Sequence, residues 1–256
     1  MARVLAIIPA RMASQRLPGK VLLGRTGKPL IQHVWEGAKS CPVIDRIVIA
    51  TEAEEVVRAV EAFGGEAVLT SPDCQSGSDR VAEAARVAPE AEIVVNIQGD
   101  EPEMTPEPLT ALVEGMLARA DARMGTVAVP WPPEVPLDEP SFVKVVVDSK
   151  GDALYFSRSV VPHRRDPLDT AEHQLPDNSD IYLKHVGLYA YRPAFLQEFA
   201  RLAPTPLENA EKLEQLRVLE HGHKIAVFKS RYRGFEVNTP ADYEAFVARY
   251  VGSSGQ

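Results

Sequence analysis

Short apolar runs alternate with amphipathic segments through the first part of the chain. The apolar runs, each expected to form a strand, are residues 3–8, 46–51, 66–70 and 91–97. The amphipathic segments, each expected to form a helix, are residues 29–39, 52–64 and 78–88. Strands that are apolar without interruption are typical of a parallel sheet covered by helices on both faces. With right-handed crossovers, this α/β pattern predicts a Rossmann-like, doubly wound, mostly parallel sheet, whose ligands bind at the carboxyl ends of the strands.

The pattern changes after residue 123. The stretches GTVAVPWPP, SFVKVVVD and ALYFSR, with the turn SKGD between the last two, are typical of β-hairpins. We therefore expect a single domain over residues 1–251, with a β-rich arm inserted at about 130–182. A further strand at residues 183–191 precedes two helical segments, and residues 252–256 are expected to form a disordered tail.

Composition narrows the classes of protein to which the chain can belong. With 256 residues, 45% of them hydrophobic, it can bury the core of one sizeable domain. No apolar run approaches the roughly 20 residues of a membrane span, and the N-terminal run is too short for a signal peptide, so we expect a cytoplasmic protein. A net charge of -8 argues against nucleic-acid and membrane partners and favours a small-molecule substrate. Cys41 and Cys74 lack the spacing of a zinc site or disulfide framework.

Three cations follow the first predicted strand despite the acidic composition. The stretch IIPARMASQRLPGK, residues 7–20, contains Arg11, Arg16 and Lys20. At the carboxyl edge of a doubly wound sheet, where helix N-termini also favour anions, these side chains predict a phosphate site. The loop is not a Walker sequence, because Arg25 stands where Lys is required. A solvated run of charges is the alternative.

A candidate metal ligand follows the fourth predicted strand. In VVNIQGDEP, Asp100 lies at the same edge of the sheet as the cationic loop. Magnesium prefers one or two carboxylates together with phosphate oxygens and water. A triphosphate carries about four negative charges and Mg²⁺ offsets two, so about two remain for protein cations. The alternative is an aspartate that only forms a turn.

Several stretches together resemble a known family. These are the two segments above with QSGSDR (75–80), VKVVVDSKGDALYFSR (143–158), KHVGLYAYR (184–192) and LENAEKLEQLRVLEHGHKI (207–225). The sequence is similar to the nucleotidyltransferase superfamily and, within it, to the CMP-Kdo synthetases, or 3-deoxy-manno-octulosonate cytidylyltransferases. The resemblance implies a cytoplasmic, Mg²⁺-dependent homodimer that couples CTP with the sugar acid Kdo, releasing pyrophosphate and supplying CMP-Kdo for lipopolysaccharide. It also implies that the hairpin arm forms the dimer contact.

The resemblance also implies roles for individual residues. Asp100 matches a metal ligand and, with Arg16 and Lys20, the catalytic set. The residues that match the nucleotide site are Arg11, Ser14, Arg16, Lys20, Gln75, Ser76, Gly77 and Arg80. The residues that match the sugar-acid pocket are Gln98, Arg158, His185, Tyr189, Glu214 and Gln215.

The chain departs from the family pattern at two positions. Relatives typically contain VDTPED, whose first Asp is a second metal ligand, but this chain has VNTPAD with Asn238. An amide oxygen can coordinate magnesium, yet the site loses one negative charge, so the number of metals and the sugar acid stay open. His163 stands where the family often has Trp.

The pocket residues also have ordinary interpretations. Arg158 suits a substrate carboxylate through its bidentate fork, but it can equally be a surface arginine. His185 and Tyr189, four apart on a strand, share a face, and a hydrogen-bonded core histidine is the commoner case.

Residues 207–220 are predicted to form one helix with an apolar stripe. Its glutamates would normally be solvated, and only the resemblance makes Glu214 and Gln215 sugar ligands. The stripe consists of Leu207, Leu213, Leu216 and Leu219. The glutamates of the opposite face are Glu208, Glu211 and Glu214.

Two other functions remain open. One is a cytidylyltransferase for a related acid sugar, of the 8-amino-Kdo or sialic-acid type. The other is a nucleotide-binding relative without catalysis, for which Asn238 is the only indication in the sequence.

Overall fold

The computed structural model describes residues 3–14, 16–165 and 181–254, which form an α/β fold around one mixed sheet. The strands are β1 (Val4–Ala10), β2 (Arg46–Thr51), β3 (Glu66–Leu69), β4 (Ile93–Asn96), β5 (Met124–Pro130), β6 (Lys144–Val147), β7 (Ala153–Ser157), β8 (Leu183–Tyr191) and β9 (Ala226–Lys229). The helices are α1 (Leu30–Lys39), α2 (Glu54–Ala62), α3 (Gly77–Ala84), α4 (Pro106–Ala118), α5 (Pro193–Phe199), α6 (Pro206–Glu211), α7 (Gln215–Glu220) and α8 (Pro240–Ser254).

The strand order confirms the predicted mostly parallel, Rossmann-like sheet. Along the path β3-β2-β1-β4-β8-β5-β9, every strand except β8 runs in one direction. The antiparallel β8 lies between β4 and β5. The β6–β7 hairpin joins the sheet through a short antiparallel pairing of β6 with β8.

Helices cover both faces of the sheet, as continuous apolar strands require. On one face, Ile31 of α1 and Leu112 of α4 pack on the sheet in a large core cluster. On the other face, Val81 of α3, Phe195 of α5 and Leu216 of α7 form a second cluster. The carboxyl ends of β1 and β4, which are neighbours in the sheet, therefore open at one edge between two packed layers.

The middle of the chain differs from the prediction in one respect. The stretch GTVAVPWPP, residues 125–133, was expected to belong to hairpin material, but most of it lies in β5, a strand inside the main sheet that pairs with β8 and β9. The predicted hairpin itself is present as β6 and β7. The proposed limits of the arm, 130–182, stay a prediction, because residues 166–180 lie outside the described part of the chain.

The single helix predicted over residues 207–220 is wrong. The segment forms two short helices, α6 and α7, because Lys212 adopts a left-handed conformation with φ of 54°. Consequently Leu207 is 40% exposed, whereas Leu213 and Leu216 are buried in the core. Helical periodicity alone does not reveal this break, since Lys is a good helix former.

The C-terminus also differs from the prediction. The expected tail began at residue 252, but α8 continues to Ser254, and residues 255–256 lie outside the described part. Tyr243 and Phe246 of α8 pack with Leu30 and Val237 in a third apolar cluster. Among the described residues, no helix combines the length and apolar character needed to cross a bilayer.

Candidate active site

The loop after β1 folds back over the carboxyl edge of the sheet. Its return is fixed by a hydrogen bond from Gly19 N to Met12 O at 3.1 Å. Gly19 has a positive φ of 67°, a conformation that favours glycine. Leu17 and Leu23 pack against the apolar cluster at α8, so the loop is held from the side of the C-terminal helix.

Two cations of this loop contact three oxygens at the same edge. The Nζ atom of Lys20 lies 2.6 Å from Oδ2 of Asp100 and donates to the carbonyl of Val237 at 3.1 Å. Nη2 of Arg16 donates to Oδ1 of Asn238 at 3.0 Å. The structure therefore brings the predicted cations together with both predicted metal ligands.

The turn that carries Asp100 is pressed against the end of β1. A Cβ atom at Gly99 would lie 2.7 Å from the carbonyl oxygen of Pro9, so only glycine fits this approach. The carbonyl of Asp100 accepts a hydrogen bond from Val237 N at 2.8 Å. Main-chain contacts thus set the distance between Asp100 and Asn238 before any ligand arrives.

The N-terminus of α3 lies beside the same loop. The Ser76 hydroxyl accepts a hydrogen bond from Asp79 N at 3.0 Å, and Oδ2 of Asp79 accepts one from Ser76 N at 2.9 Å, which together form a capping box. Nη1 of Arg11 donates to the carbonyl of Gln75 at 3.4 Å. A Cβ atom at Gly77 would contact Pro9 at 3.9 Å, which places the start of the helix at the end of β1. Ser14 lies in the loop, where its amide bonds the carbonyl of residue 12.

Arg80 does not face the open edge. Its side chain is 2% exposed, pairs with Glu52 at 2.9 Å and hydrogen-bonds Thr70. Glu52 also accepts a hydrogen bond from the amide of Met12 at 3.1 Å. Arg80 therefore supports the cationic loop from beneath through Glu52, a residue that the sequence analysis did not single out.

His185 and Tyr189 share a face of β8, as predicted. Their ring centroids are 5.4 Å apart, although the pairing with β5 shifts between them. Nε2 of His185 lies 3.0 Å from the hydroxyl of Thr126, and Phe156 packs edge-on against the ring. Burial, with a smaller effect of the Lys184 charge, lowers the pKa of His185 to about 3. The imidazole is thus neutral and oriented.

Glu214 and Gln215 reach the same region from α7. Oε2 of Glu214 accepts a hydrogen bond from the Ser78 hydroxyl at 2.6 Å. Tyr191 hydrogen-bonds Ser78 and Asn96, which connects this group to β4 and β8. Three buried atoms here have no hydrogen-bond partner among the described residues, namely Oδ1 of Asn96, Oε1 of Glu214 and Nε2 of Gln215. Since buried polar atoms are normally paired, the cluster suits a ligand rich in hydroxyl groups.

Arg158 follows β7 and is held by carbonyl groups. Its Nε donates to the carbonyl of Glu211 at 2.8 Å and its Nη1 to that of Pro140 at 3.0 Å. Among the described residues, none of the ion pairs includes Arg158. Its guanidinium charge therefore has no carboxylate partner there.

Gln98 connects the two halves of the site. It lies on the same turn as Asp100, and its Nε2 donates to the carbonyl of Gly187 on β8 at 3.1 Å. The cation and metal-ligand group on one side and the β8 group on the other are thus joined through residues 98–100. His163, where the family often has Trp, is exposed.

The sequence analysis did not single out two residues near Asp100, the acidic Glu101 and the phenolic Tyr232. Glu101 is 2% exposed and accepts a hydrogen bond from the Tyr232 hydroxyl at 3.3 Å. Burial, then the charges of Glu236 and Asp100, raise the pKa of Glu101 to about 8. The acidic pair in GDEP was visible in the sequence, but nothing in it indicated which member would be buried.

The residues at the edge fit a magnesium ion that relies mainly on its nucleotide for ligands. No group of three His, Cys, Asp or Glu side chains in the described ranges can hold a metal ion alone. Asp100 and Asn238 nevertheless supply two neighbouring oxygens, each already contacted by a cationic side chain. Such a small set of oxygen ligands is usual for magnesium bound with a substrate phosphate.

The comparisons with known proteins identify the family of the chain. A family model described as Cytidylyltransferase matches residues 5–225. The chain is 50% identical over 244 residues to a 3-deoxy-manno-octulosonate cytidylyltransferase of Synechococcus elongatus, covering 95% of this chain and 96% of that protein. It is 45% identical over 249 residues to the protein of the same name in Geobacter metallireducens, covering 96% and 97%.

A solved structure is similar over the whole chain. The structure of a CMP:2-keto-3-deoxy-manno-octonic acid synthetase complexed with CTP superposes with a TM-score of 0.88 at 40% identity. The match covers 98% of this chain and 100% of that one. Fold and relatives thus agree, and the chain belongs to the cytidylyltransferase family, in the branch of the 3-deoxy-manno-octulosonate cytidylyltransferases.

Proposed function

We propose that this protein couples CTP with 3-deoxy-D-manno-octulosonate (Kdo), giving CMP-Kdo and pyrophosphate. The observation that carries the proposal is the pairing of Lys20 with Asp100 and of Arg16 with Asn238 at the carboxyl edge of the sheet. Cations for phosphates and oxygens for a metal ion meet there, as nucleotidyl transfer requires. The relatives named 3-deoxy-manno-octulosonate cytidylyltransferase support Kdo as the sugar acid.

The triphosphate binds across the cationic loop. Arg11, Arg16 and Lys20 supply positive charge, and the N-terminus of α3, which begins at Gly77, supplies a main-chain amide; the Ser76 amide is occupied by Asp79. Nη2 of Arg11 is buried and has no hydrogen-bond partner in the described part of the chain, so it can donate to a phosphate oxygen. Gln75 and Ser14 lie within this cradle and contribute polar contacts.

Magnesium is the proposed cofactor, held by Asp100 and Asn238. When bound, it neutralises phosphate charge and polarises the oxygens bound to it. Lys20 and Arg16, which contact these two oxygens here, then turn their charge towards the phosphates. Asp100 thus acts as a metal ligand, and the two cations stabilise the departing pyrophosphate.

The sugar acid lies on the β8 side of the site. Arg158, whose charge lacks a carboxylate partner in the described chain, binds the substrate carboxylate through its open fork. Gln98, His185, Tyr189, Glu214 and Gln215 orient the hydroxyl groups. The neutral His185 and the unpaired Nε2 of Gln215 provide the hydrogen-bonding capacity that such groups need.

The reaction needs no nucleophile from the protein. The anomeric hydroxyl oxygen of the sugar acid attacks the α-phosphorus of CTP in line. A bond forms between this oxygen and the α-phosphorus, and the bond between the α-phosphorus and the oxygen that bridges it to the β-phosphorus breaks. Pyrophosphate leaves and the hydroxyl proton passes to solvent. Catalysis is therefore positioning and charge stabilisation, which contribute most of the rate in phosphoryl-transfer enzymes.

The wider setting of the enzyme is also part of the proposal. We expect a cytoplasmic homodimer that supplies CMP-Kdo for lipopolysaccharide, with the arm at 130–182 at the dimer contact. Leu154 on the outer strand β7 and Ile181 are 62% and 51% exposed, which gives this region apolar surface for a second copy. Sedimentation analysis measures the oligomeric state directly.

Pyrophosphate release from CTP or UTP with a panel of sugar acids tests the function. The expected result is turnover with CTP and Kdo that exceeds turnover with UTP, 8-amino-Kdo or sialic acid. A preference for one of the other acids would assign the enzyme to that substrate. CTP binding by calorimetry with no pyrophosphate from any acid would identify a binding module, and the proposal would be wrong.

A further inference from the structure

Helix α6 makes no contribution to the apolar core. None of its residues, Pro206–Glu211, is buried, and Leu207 is 40% exposed. The helix is instead held by polar contacts at both ends. At its start, Thr205 and Glu208 form a capping box, and Glu208 also pairs with Arg217 at 2.5 Å. Packing in the core therefore does not explain why α6 forms at this place, and the contacts at its C-terminal end have to be considered.

That other end is attached to the last residues of β7. Oε1 of Glu211 accepts a hydrogen bond from the Ser157 hydroxyl at 2.6 Å, and Oε2 accepts one from Arg158 N at 2.9 Å. The carbonyl of Glu211 accepts a third from Nε of Arg158 at 2.8 Å. One residue thus holds both the backbone and the guanidinium of Arg158.

These contacts leave the useful part of Arg158 open. The carboxylate of Glu211 accepts a hydrogen bond from the backbone amide of Arg158. The guanidinium donates only to carbonyl oxygens, those of Glu211 and Pro140. No hydrogen bond between described residues uses its Nη2. The guanidinium is therefore fixed through Nε and Nη1, and it keeps its positive charge and the donors of Nη2 for a carboxylate.

The residue after Glu211 is conformationally strained. Lys212 is the only non-glycine residue with positive φ in the described ranges. This left-handed conformation is unfavourable for a residue with a Cβ atom. The turn directs Glu211 towards Arg158 and lets Glu214 reach Ser78 on α3 at 2.6 Å. A continuous helix would place the two glutamates on one side.

We propose that Glu211 is a positioning residue for the sugar acid, acting through Arg158. It holds the guanidinium in the orientation that receives the substrate carboxylate. The inference rests on the proposed function, because it assumes that Arg158 binds this carboxylate. The competing explanation is that Glu211 only stabilises α6.

The variant Glu211→Gln distinguishes these explanations, because a positioning role predicts a change in KM for Kdo and not in KM for CTP. An amide retains the size of the side chain but loses its charge and turns a donor towards Ser157 or Arg158 N. We expect KM for Kdo to rise by about 10- to 50-fold, as for a lost charge-assisted hydrogen bond. KM for CTP should change by less than about twofold, because the nucleotide residues lie on other segments.

The matched control is Glu208→Gln on the same helix. Glu208 takes part in the capping box and the pair with Arg217 but does not contact Arg158. We expect this variant to lower the melting temperature while leaving KM for Kdo within about twofold of wild type. An equal rise of KM in both variants would show that only the stability of α6 matters, and would overturn the inference.

A double-mutant cycle with Arg158→Ala tests whether Glu211 acts through Arg158. If it does, Glu211→Gln adds less than about twofold to KM for Kdo in the Arg158→Ala background. Fully additive effects would overturn the inference. Should Glu211→Gln fail to fold, Ser157→Ala removes one of the same contacts and must raise KM for Kdo selectively by a smaller factor, or the inference is wrong.

The wild-type protein distinguishes this inference from the proposed function. If it binds Kdo without releasing pyrophosphate, the proposed reaction fails, and calorimetric Kd values for Kdo in the same variants decide the role of Glu211. If it turns over Kdo and Glu211→Gln does so with unchanged KM, the reaction stands and the positioning role is refuted. If no sugar acid binds at all, both are wrong.

Discussion

Lys20 and Asp100 form the tightest ion pair at the carboxyl edge, with Nζ and Oδ2 2.6 Å apart and side chains only 14% and 23% exposed. Partial burial strengthens such a contact, because fewer water molecules screen it. The carboxylate is further fixed by Gly99 against β1 and by Val237 N on the Asp100 carbonyl. A small change at this carboxylate therefore affects charge more than geometry.

Replacing Asp100 with Asn should lower kcat by about 30- to 1000-fold, equivalent to about 2–4 kcal/mol of barrier, since the metal loses its carboxylate. Pyrophosphate release is measured at saturating CTP, Kdo and Mg²⁺. Asp121→Asn, whose carboxylate is 75% exposed and pairs with Arg119, is the control and should retain the wild-type rate. A wild-type rate for Asp100→Asn would contradict the role of Asp100.

The substitution Asn238→Asp introduces the carboxylate that the family resemblance implies at this position. It adds a negative charge beside Asp100 and converts the 3.0 Å contact with Arg16 into an ion pair. We expect the Mg²⁺ concentration for half-maximal activity to fall by about 3- to 10-fold. Binding of Mn²⁺ followed by electron paramagnetic resonance measures the affinity without turnover. The exposed Asn209→Asp serves as the control, and an unchanged Mn²⁺ affinity in Asn238→Asp would argue against a ligand at 238.

The strands and helices from β1 to β4 could be predicted from the sequence because each obeys a single periodicity. The bounds of β2, Arg46–Thr51, and of β8, Leu183–Tyr191, agree with the apolar runs. The position of β8 as an antiparallel strand between β4 and β5 could not be predicted, since pairing partners far apart in sequence leave no local signal. The same limit explains Glu211, whose partners Ser157 and Arg158 are more than 50 residues away.

The site was predictable where charge stood out against an acidic background, and not where burial decided the role. Arg16, Lys20 and Asp100 were found as polar residues directly after apolar strands. Arg80 resembled them in the sequence, but its side chain is 2% exposed, and its guanidinium already contacts Glu52 and Thr70. The packing of α3 on the sheet makes this difference, and packing is a long-range property.

The break between α6 and α7 can be tested by changing Lys212. Lys212→Gly removes the Cβ atom that makes φ of 54° unfavourable, and we expect the free energy of unfolding to rise by about 0.5–1 kcal/mol. Lys212→Ala keeps the Cβ atom and should not stabilise the protein. Urea denaturation of both variants measures the difference. Equal stabilities would contradict a strained turn.

The two ends of the chain meet at the active site. Arg16 and Asn238 are 222 positions apart in sequence, and Lys20 reaches Val237 across 217. Behind them, α8 packs through Tyr243 on Leu30 and hydrogen-bonds the amide of Arg25 at 2.9 Å. The site is thus complete only when the whole fold has formed, so stability and activity are coupled.

Acid should destabilise the molecule through His185. Its pKa is lowered to about 3 from the ordinary 6.5, mainly by burial. Between these values the unfolded chain binds a proton that the folded chain does not. The contribution of this ring to stability is therefore fully present above pH 6.5 and decreases as the pH falls towards 3. In urea denaturation from pH 7 to pH 4, His185→Gln should lose stability less steeply than wild type, and equal slopes would contradict the assignment.

The antiparallel strand in the middle of the sheet has a consequence for how the protein is made. Among the described strands, β4 pairs only with β1 and β8, and β5 only with β8 and β9. A nascent chain that has left the ribosome as far as residue 130 can therefore assemble β1 to β4, but β5 has no neighbour to join. The sheet can close only after β8 has been translated, so the edges of β4 and β5 that pair with β8 remain exposed until then. We expect a chaperone that binds unfolded segments to act on this partly folded intermediate.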